Sequence, residues 1–260
     1  MRNIVHTLAF NLYSETEKAV IDLYHRNDHS DFEHVLVDLG FPLEDGDKIP
    51  DNIDLSKDRN SSRLQELADQ VGSRYLKIEN IGVSQNWDMV ARLMKVDQGD
   101  ALICCDPDEI VHTDGWVNAL SIALRSTERK YGWVSLTMPE HFPVLTDEKL
   151  TKFRVGDIRV WEVKGRLNWA QGAMSGSMIR EIGTIPSYSG FPVYGHLETA
   201  VMDKMTPLGY TWSILPDFTV SHTDDVPLYR QWKDQIIFGV KKTGQIGFER
   251  WLEMKRRGEL

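Results

Sequence analysis

The chain has 260 residues, of which 41% are apolar and 27% charged, and its formal charge is −9. This length and composition fit one large globular domain, and the acidic balance disfavours non-specific binding to nucleic acid. The two cysteines, Cys104 and Cys105, are adjacent, and no stretch reaches the roughly 18 apolar residues of a membrane span. We therefore expect a cytoplasmic protein without a disulfide framework, a signal peptide or an integral membrane span.

The first half of the chain alternates buried strand patterns with amphipathic helix patterns. Strands are predicted over 3–10, 33–40, 74–78 and 101–105, with helices over 14–26, 61–72 and 84–96. This rhythm predicts an α/β fold with a mostly parallel sheet and helices on both faces. Between the second strand and the second helix lies a polar loop, 41–60, of the length that often serves function.

The second half is less regular, and it contains a long segment rich in Gly and Ser. Strands are predicted over 133–138, 157–163, 210–216 and 218–222, and a helix over 198–205. From Val226 to Leu260 the pattern is helical, with eight Lys and Arg against four Asp and Glu. We therefore divide the chain into a domain, 1–225, and a basic helical tail, 226–260.

An acidic cluster follows the fourth predicted strand. The apolar run ALICC stops at Asp106-Pro107-Asp108-Glu109, with no basic residue nearby. Strand ends of a parallel sheet share one edge, so Asp38, at the end of the second strand, is expected to face the same crevice. The carboxylates of Asp106 and Asp108 can bind one hard divalent cation. Alternatively, Asp106 caps a following helix and Asp108 and Glu109 are solvated.

A histidine stands at the end of the last predicted strand. His222 closes the run FTVSH and precedes Asp224 and Asp225. Two carboxylates and one imidazole are a workable octahedral set for Mn²⁺ or Mg²⁺, with phosphate oxygens and water completing the shell. Such an ion neutralises a diphosphate leaving group. The alternative is a hydrogen-bonded surface histidine.

Taken in order, these features resemble the GT-A glycosyltransferases, and most closely their family 2 group. VLVDLG resembles the strand that ends in a nucleotide-contacting Asp, ENIGVSQNWDMVARLM the Asn-x-Gly segment with its helix, and LICCDPDE the DxD strand. GAMSGSMIREIG resembles the Gly-ended segment after the acceptor-side strands, and ETAVMDKMTPLGYTWSILPDFTVSH the Glu-Asp helix, Gly and terminal His. The resemblance covers residues 3–222.

The resemblance implies a GT-A, Rossmann-like sheet and metal-dependent transfer of a sugar from a nucleotide sugar to an acceptor hydroxyl. The implied residues are Thr7, Asp38, Gln85 and Asp106 for the nucleotide, and Asp106, Asp108 and His222 for Mn²⁺ or Mg²⁺. Gln85 replaces an Arg that is frequent in the family. The implied donor is a UDP- or GDP-sugar, with its diphosphate held by the DxD motif.

On the acceptor side, Glu198 matches the Glu of the family's Glu-Asp pair and is the best remaining candidate for the general base of an inverting reaction. Thr199 departs from the family, which has Asp there, so the stereochemical outcome stays open. Alternatively, Glu198 only stabilises a helix N-terminus. Trp169 is a candidate for stacking on a sugar face, with core packing as the alternative. The segments 41–60 and 186–196 are candidates for closing over the donor.

Two other classes of protein are open at this stage. A nucleotidyltransferase would carry a Gly-rich phosphate loop with Lys or Arg after the first strand, which TLAFNLYSETEK is not. A non-catalytic nucleotide-sugar-binding protein would not need the acid and histidine set. The acceptor is a saccharide, a lipid-linked glycan or another hydroxyl-bearing polymer. The basic tail is an interfacial helix, a site for an anionic polymer such as nucleic acid, or a solvated terminal helix.

Overall fold

The computed structural model describes a ten-stranded mixed sheet with its covering helices. The described residues are 1–9, 13–39, 61–78, 83–139, 150–164, 171–186, 197–222 and 256–258. The loop 41–60, the segment 187–196, Trp169 and all but three residues of the tail 226–260 lie outside these ranges, and the predictions made for them stay predictions.

The elements follow the predicted alternation closely in the first half. They are β1 (Asn3–Ala9), α1 (Tyr13–Arg26), β2 (Glu33–Asp38), α2 (Ser61–Val71), β3 (Arg74–Lys77), α3 (Val83–Leu93), β4 (Ala101–Cys104), β5 (Glu109–Val111), α4 (Trp116–Leu124), β6 (Tyr131–Thr137), β7 (Leu150–Val155), β8 (Ile158–Val163), β9 (Gly172–Ser175), α5 (Gly176–Ile182), α6 (Leu197–Met205) and β10 (Thr211–His222). Within the described ranges, no helix is long and apolar enough to cross a membrane.

The sheet has the order β3-β2-β1-β4-β9-β6-β10-β8-β7, with β5 paired to β10. Relative to β1, the strands β2, β3, β4, β6, β7 and β10 run in the same direction, and β5, β8 and β9 run in the opposite one. The predicted mostly parallel α/β sheet is thus confirmed. In register, Ala9 lies opposite Asp38 and His6 opposite Cys104, so β1, β2 and β4 end at one edge.

Helices cover both faces because the central strands are apolar on both sides. In β4, Leu102 and Cys104 pack with α3, α5 and α6, whereas Ala101 and Ile103 pack with α1 and α4. This alternation follows from the two-residue period of a strand. The predicted helices on both faces are therefore confirmed.

The second half differs from the sequence prediction in four elements. β5, β7, β9 and α5 were not anticipated, since short or edge strands carry too few residues for a clear period. The two strands predicted over 210–216 and 218–222 form the single strand β10. At Pro216 its pairing with β6 jumps from Leu215 to Thr219, and beyond this irregularity β10 pairs with β5. Proline cannot donate a ladder hydrogen bond and is tolerated at such irregularities, so β10 continues through Pro216.

Candidate active site at the carboxyl ends of the strands

Asp38 is fixed at the carboxyl end of β2. Its side chain is buried, and the Tyr75 hydroxyl donates a hydrogen bond of 2.7 Å to Asp38 Oδ2. The backbone N–H of Ile78 donates to the Asp38 carbonyl at 3.0 Å. Tyr75, which the sequence analysis did not single out, therefore sets the direction of the carboxylate predicted to contact the nucleoside.

Thr7 lies two residues before the end of β1, within a buried polar network. Its Oγ1 is 3.0 Å from His34 Nε2, and Ser73 Oγ contacts the other ring nitrogen of His34. Burial lowers the pKa of His34 to about 3, so the ring is neutral. The Thr7 hydroxyl thus has a protein partner, and its predicted contact with the nucleotide stays a prediction.

The DPDE sequence forms a turn between β4 and β5. The Cys104 thiol donates to Asp106 Oδ1 at 3.0 Å, and the N–H of Glu109 donates to the Asp106 carbonyl at 3.3 Å. Asp106 and Asp108 are half-buried at this turn. The residue that caps α4 is Gly115, without a side-chain hydrogen bond, so the alternative that Asp106 caps the helix is wrong.

Glu109 is buried beside His222, and the alternative that it is simply solvated is also wrong. The two residues face each other in the antiparallel β5–β10 ladder, and Glu109 Oε1 is 3.9 Å from His222 Nε2. Glu109 Oε2 accepts a hydrogen bond of 2.9 Å from the backbone N–H of Gln171. The Glu109 side chain is 1% exposed and that of His222 is 30% exposed.

This ladder brings His222 next to the turn formed by residues 106–109, whose sequence Asp-Pro-Asp is the DxD pattern, and we call it the DxD turn. Because Asp108 precedes Glu109 directly, His222 lies next to the turn that carries both predicted carboxylate ligands. Within the described ranges, no three His, Cys, Asp or Glu side chains are already arranged as a metal site. The donor types, two half-buried carboxylates and a part-exposed imidazole, nevertheless suit a hard divalent cation.

Glu198 lies in the first turn of α6. The helix ends at Met205, whose sulfur lies close to Gly132 near the amino end of β6. Gln85 lies in the first turn of α3, which follows the carboxyl end of β3. Both side chains are half-buried.

The similarity of this chain to known proteins lies in its fold and not in its sequence. No family model and no curated protein sequence matches the chain. The structure resembles GalNAc-T7 with UDP, GalNAc and Mn²⁺ (TM-score 0.59, 14% identity), over 91% of this chain and 48% of that one. It also resembles S. aureus TarS 1-349 in complex with UDP-GlcNAc (TM-score 0.55, 11% identity), over 87% of this chain and 60% of that one.

A third similar structure is glucosyl-3-phosphoglycerate synthase from Mycobacterium tuberculosis in complex with Mn²⁺, UDP and glucosyl-3-phosphoglycerate. Its TM-score is 0.51 at 14% identity, over 94% of this chain and 82% of that one. These likenesses confirm the predicted GT-A fold. The chain spans about half the length of the GalNAc-T7 chain and 60% of the TarS chain.

Proposed function

We propose that the protein is a metal-dependent glycosyltransferase that moves a sugar from a UDP- or GDP-sugar to an acceptor hydroxyl. One observation carries the proposal: in a GT-A fold, the β5–β10 ladder sets His222 against the DxD turn at the carboxyl end of β4. The similar structures were solved with UDP and Mn²⁺ or with UDP-GlcNAc, which supports the same ligand classes here.

Asp106, Asp108 and His222 are the residues that would hold Mn²⁺ or Mg²⁺. When bound, such an ion neutralises the charge that develops on the departing nucleoside diphosphate. The Cys104 thiol donates an S–H hydrogen bond to Asp106 Oδ1 and so helps to orient this carboxylate. We assign the Asp106 carboxylate to the ion or to ribose.

The nucleoside would bind along the shared edge of β1 and β2. There the Asp38 carboxylate, oriented by Tyr75, accepts a hydrogen bond from the base or the ribose. We keep Thr7 and Gln85 as further nucleotide contacts, and Trp169 as a sugar-stacking residue. The acceptor class remains a saccharide, a lipid-linked glycan or another hydroxyl-bearing polymer.

Glu198 is the proposed general base. It takes the proton of the acceptor hydroxyl as the acceptor oxygen bonds to the anomeric carbon and the bond from that carbon to the diphosphate oxygen breaks. The last residue of α6, Met205, lies close to Gly132 near the start of β6, so a helix that runs back along β6 would carry Glu198, in its first turn, towards the donor edge; this supports the assignment. The products are the glycosylated acceptor and the nucleoside diphosphate.

Nucleotide binding with and without metal tests the proposal. We expect UDP or GDP to raise the melting temperature only in the presence of Mn²⁺ or Mg²⁺, because the diphosphate is proposed to bind through the ion. A ligand at 100 times its Kd stabilises the folded state by about 2.7 kcal/mol. Asp108→Asn should abolish the metal-dependent part because it removes a formal charge from the ion's ligand set. Asp114→Asn, at an exposed carboxylate paired with Arg26, is the matched control and should behave as the wild type.

Three results would contradict the proposal or a part of it. Full metal-dependent binding by Asp108→Asn would remove that residue from the site. Absence of any UDP or GDP effect with either metal would remove the nucleotide site. Metal-dependent binding of UDP-sugars without release of UDP on addition of saccharide acceptors or water would favour the non-catalytic binding protein.

A further inference from the structure

Glu109 is buried and hydrogen-bonded, unlike a solvated acid at a surface turn. Its carboxylate is almost entirely withdrawn from water, and its Oε2 is held by the backbone N–H of Gln171 at 2.9 Å. Taking a carboxylate out of water destabilises the folded state unless hydrogen bonds or an opposite charge compensate. The Gln171 N–H compensates one oxygen and fixes the direction of the other.

That other oxygen, Oε1, faces the imidazole of His222. The distance from Oε1 to Nε2 is 3.9 Å, across a directly opposed pair of the β5–β10 ladder. This separation is longer than a hydrogen bond, and a ring rotation that shortens it by about 1 Å would form one. The two nitrogens of an imidazole point away from each other. Nε2 is the ring nitrogen that lies 3.9 Å from the carboxylate, which leaves Nδ1 as the nitrogen on the other side of the ring.

We propose that Glu109 is a positioning residue for His222: it holds the ring with the proton on Nε2, which leaves the Nδ1 lone pair for a divalent cation. A histidine that binds a metal usually donates its other N–H to a carboxylate or carbonyl, which sets its tautomer and orientation. Here the carboxylate is itself anchored to the start of β9 through Gln171. The inference rests on the proposed function for the presence of the ion.

The alternative role for Glu109 is purely structural, as a link between β5 and β9. Glu109→Gln separates the two roles. Its amide oxygen can still accept the Gln171 N–H, and its shape is nearly that of Glu. Its NH₂ group, however, presents a donor to His222 Nε2, which favours the tautomer with the proton on Nδ1 and removes the lone pair that binds the ion.

The experiment measures Mn²⁺ binding and the His222 tautomer separately. Mn²⁺ alone is titrated into the full chain and followed by electron paramagnetic resonance. The tautomer is determined in the metal-free protein by long-range ¹H–¹⁵N NMR, with His222→Ala identifying the ring signals. We expect an Nε2–H tautomer in the wild type, and in Glu109→Gln a shift towards Nδ1–H with a loss of about 10- to 100-fold in Mn²⁺ affinity.

Asp100→Asn is the matched control. Asp100 lies just before β4, at the opposite end from the DxD turn, and its side chain is 5% exposed. Like Glu109, it accepts backbone hydrogen bonds, from the N–H groups of Arg2 and Asp97. We expect this variant to lose stability while keeping the wild-type Mn²⁺ affinity and His222 tautomer. This result would separate a direct effect of Glu109 on His222 from a general loss of stability.

An unchanged tautomer and an unchanged Mn²⁺ affinity in folded Glu109→Gln would overturn the inference. If that variant does not fold, the wild type alone decides, because an Nδ1–H tautomer in the metal-free protein would also overturn it. Failure of the wild type to bind Mn²⁺ or nucleotide would instead overturn the proposed function. The two failures are distinguishable, since the tautomer is measured without metal.

Discussion

Three acidic residues at the carboxyl edge each accept a hydrogen bond from a different kind of donor. Asp38 is bound by a phenol hydroxyl, Asp106 by a thiol and Glu109 by a backbone amide. Burial, and then the charge and hydrogen bond of Asp106, raise the pKa of the Cys104 thiol well above its usual value. Cys104 therefore stays protonated, and it serves as a hydrogen-bond donor rather than as a thiolate nucleophile or metal ligand.

The role of Glu198 is testable by a change that preserves its shape. Glu198→Gln removes the base, so we expect sugar transfer to fall by about 10² to 10⁴-fold with donor binding nearly unchanged. Asp203→Asn, at an exposed position of the same helix, should transfer at the wild-type rate. Rates are compared with the anomeric configuration of the product, determined by NMR.

The anomeric configuration of the product decides which role the transfer rate of Glu198→Gln assigns to Glu198. An inverted product from an unimpaired Glu198→Gln enzyme would place the base elsewhere, with Asp224 or Asp225 as the next candidates. A retained product with a small loss and a raised acceptor KM would make Glu198 an acceptor-orienting residue. This measurement also resolves the outcome that Thr199, in place of the family's Asp, leaves open.

Among the elements, β10 has the largest influence on the site. Its first part pairs with β6 and β8 in the main sheet, and its last residues leave β6 to pair with β5. At the irregularity, Asp217 forms an ion pair with Arg159 of β8. One strand thus connects the core of the sheet to the DxD turn, and the position of His222 depends on the pairing of the whole strand.

The junction of β9 and α5 depends on a close backbone approach at Gly176. A Cβ atom there would lie 1.9 Å from the carbonyl oxygen of Asp97, and the Gly176 N–H donates to the Asp100 carbonyl at 2.8 Å. We expect Gly176→Ala to lower the free energy of unfolding by about 1–3 kcal/mol or more, as overpacking does. Chemical denaturation measures this change.

Gly209→Ala is the control for Gly176→Ala. Gly209 has a φ of +80° with nothing within 4 Å of a built Cβ, so only left-handed backbone strain, about 1–2 kcal/mol, is expected. A Gly176→Ala protein that is no less stable than Gly209→Ala would show that the start of α5 can move away from Asp97 at little cost.

For the molecule as a whole, two buried histidines couple stability to pH. His6 lies edge-on against Trp87 with a centroid distance of 4.4 Å, and neither of its ring nitrogens has a hydrogen-bond partner among the described residues. Burial, and then the nearby His34, lower the pKa of His6 to about 3, and burial lowers that of His34 to about 3. Both rings are therefore neutral in the folded protein.

Acidification is expected to destabilise the protein through these two rings. Below the ordinary histidine pKa of 6.5 the unfolded chain binds protons that the folded chain does not bind until about pH 3. Stability is thus full above 6.5 and is lost as the pH falls from 6.5 towards 3, by about 1.4 kcal/mol per pH unit for each histidine. Urea unfolding at several pH values measures the slope.

His6→Leu should remove one proton from this slope, because an apolar side chain of similar size replaces the titrating ring. His25→Gln, at an exposed position of α1, is the control and should leave the slope as in the wild type. If His6→Leu does not change the slope, His6 in the folded protein takes up its proton near the ordinary histidine pKa of 6.5.

The sequence by itself determined the parallel half of the sheet and the acid turn. Buried strands and amphipathic helices have local periods, and two carboxylates past a strand end are neighbours by chain geometry alone. The same locality explains why Asp38 and Asp106 were predicted to share an edge, since parallel strands joined by helices end on one side. Both predictions needed only short-range pattern and a general topological rule.

The tertiary structure alone decided which groups surround that turn. From the sequence, Glu109 is one more acid of the turn, and it is buried against His222 and Gln171 only because β5 pairs with β10, a strand about 100 residues further along the chain. The hydroxyl of Tyr75 on Asp38 and the ring of His34 on Thr7 likewise come from neighbouring strands. Such partners depend on register, and register is set by packing over the whole sheet, because a slip of one residue turns each side chain to the other face.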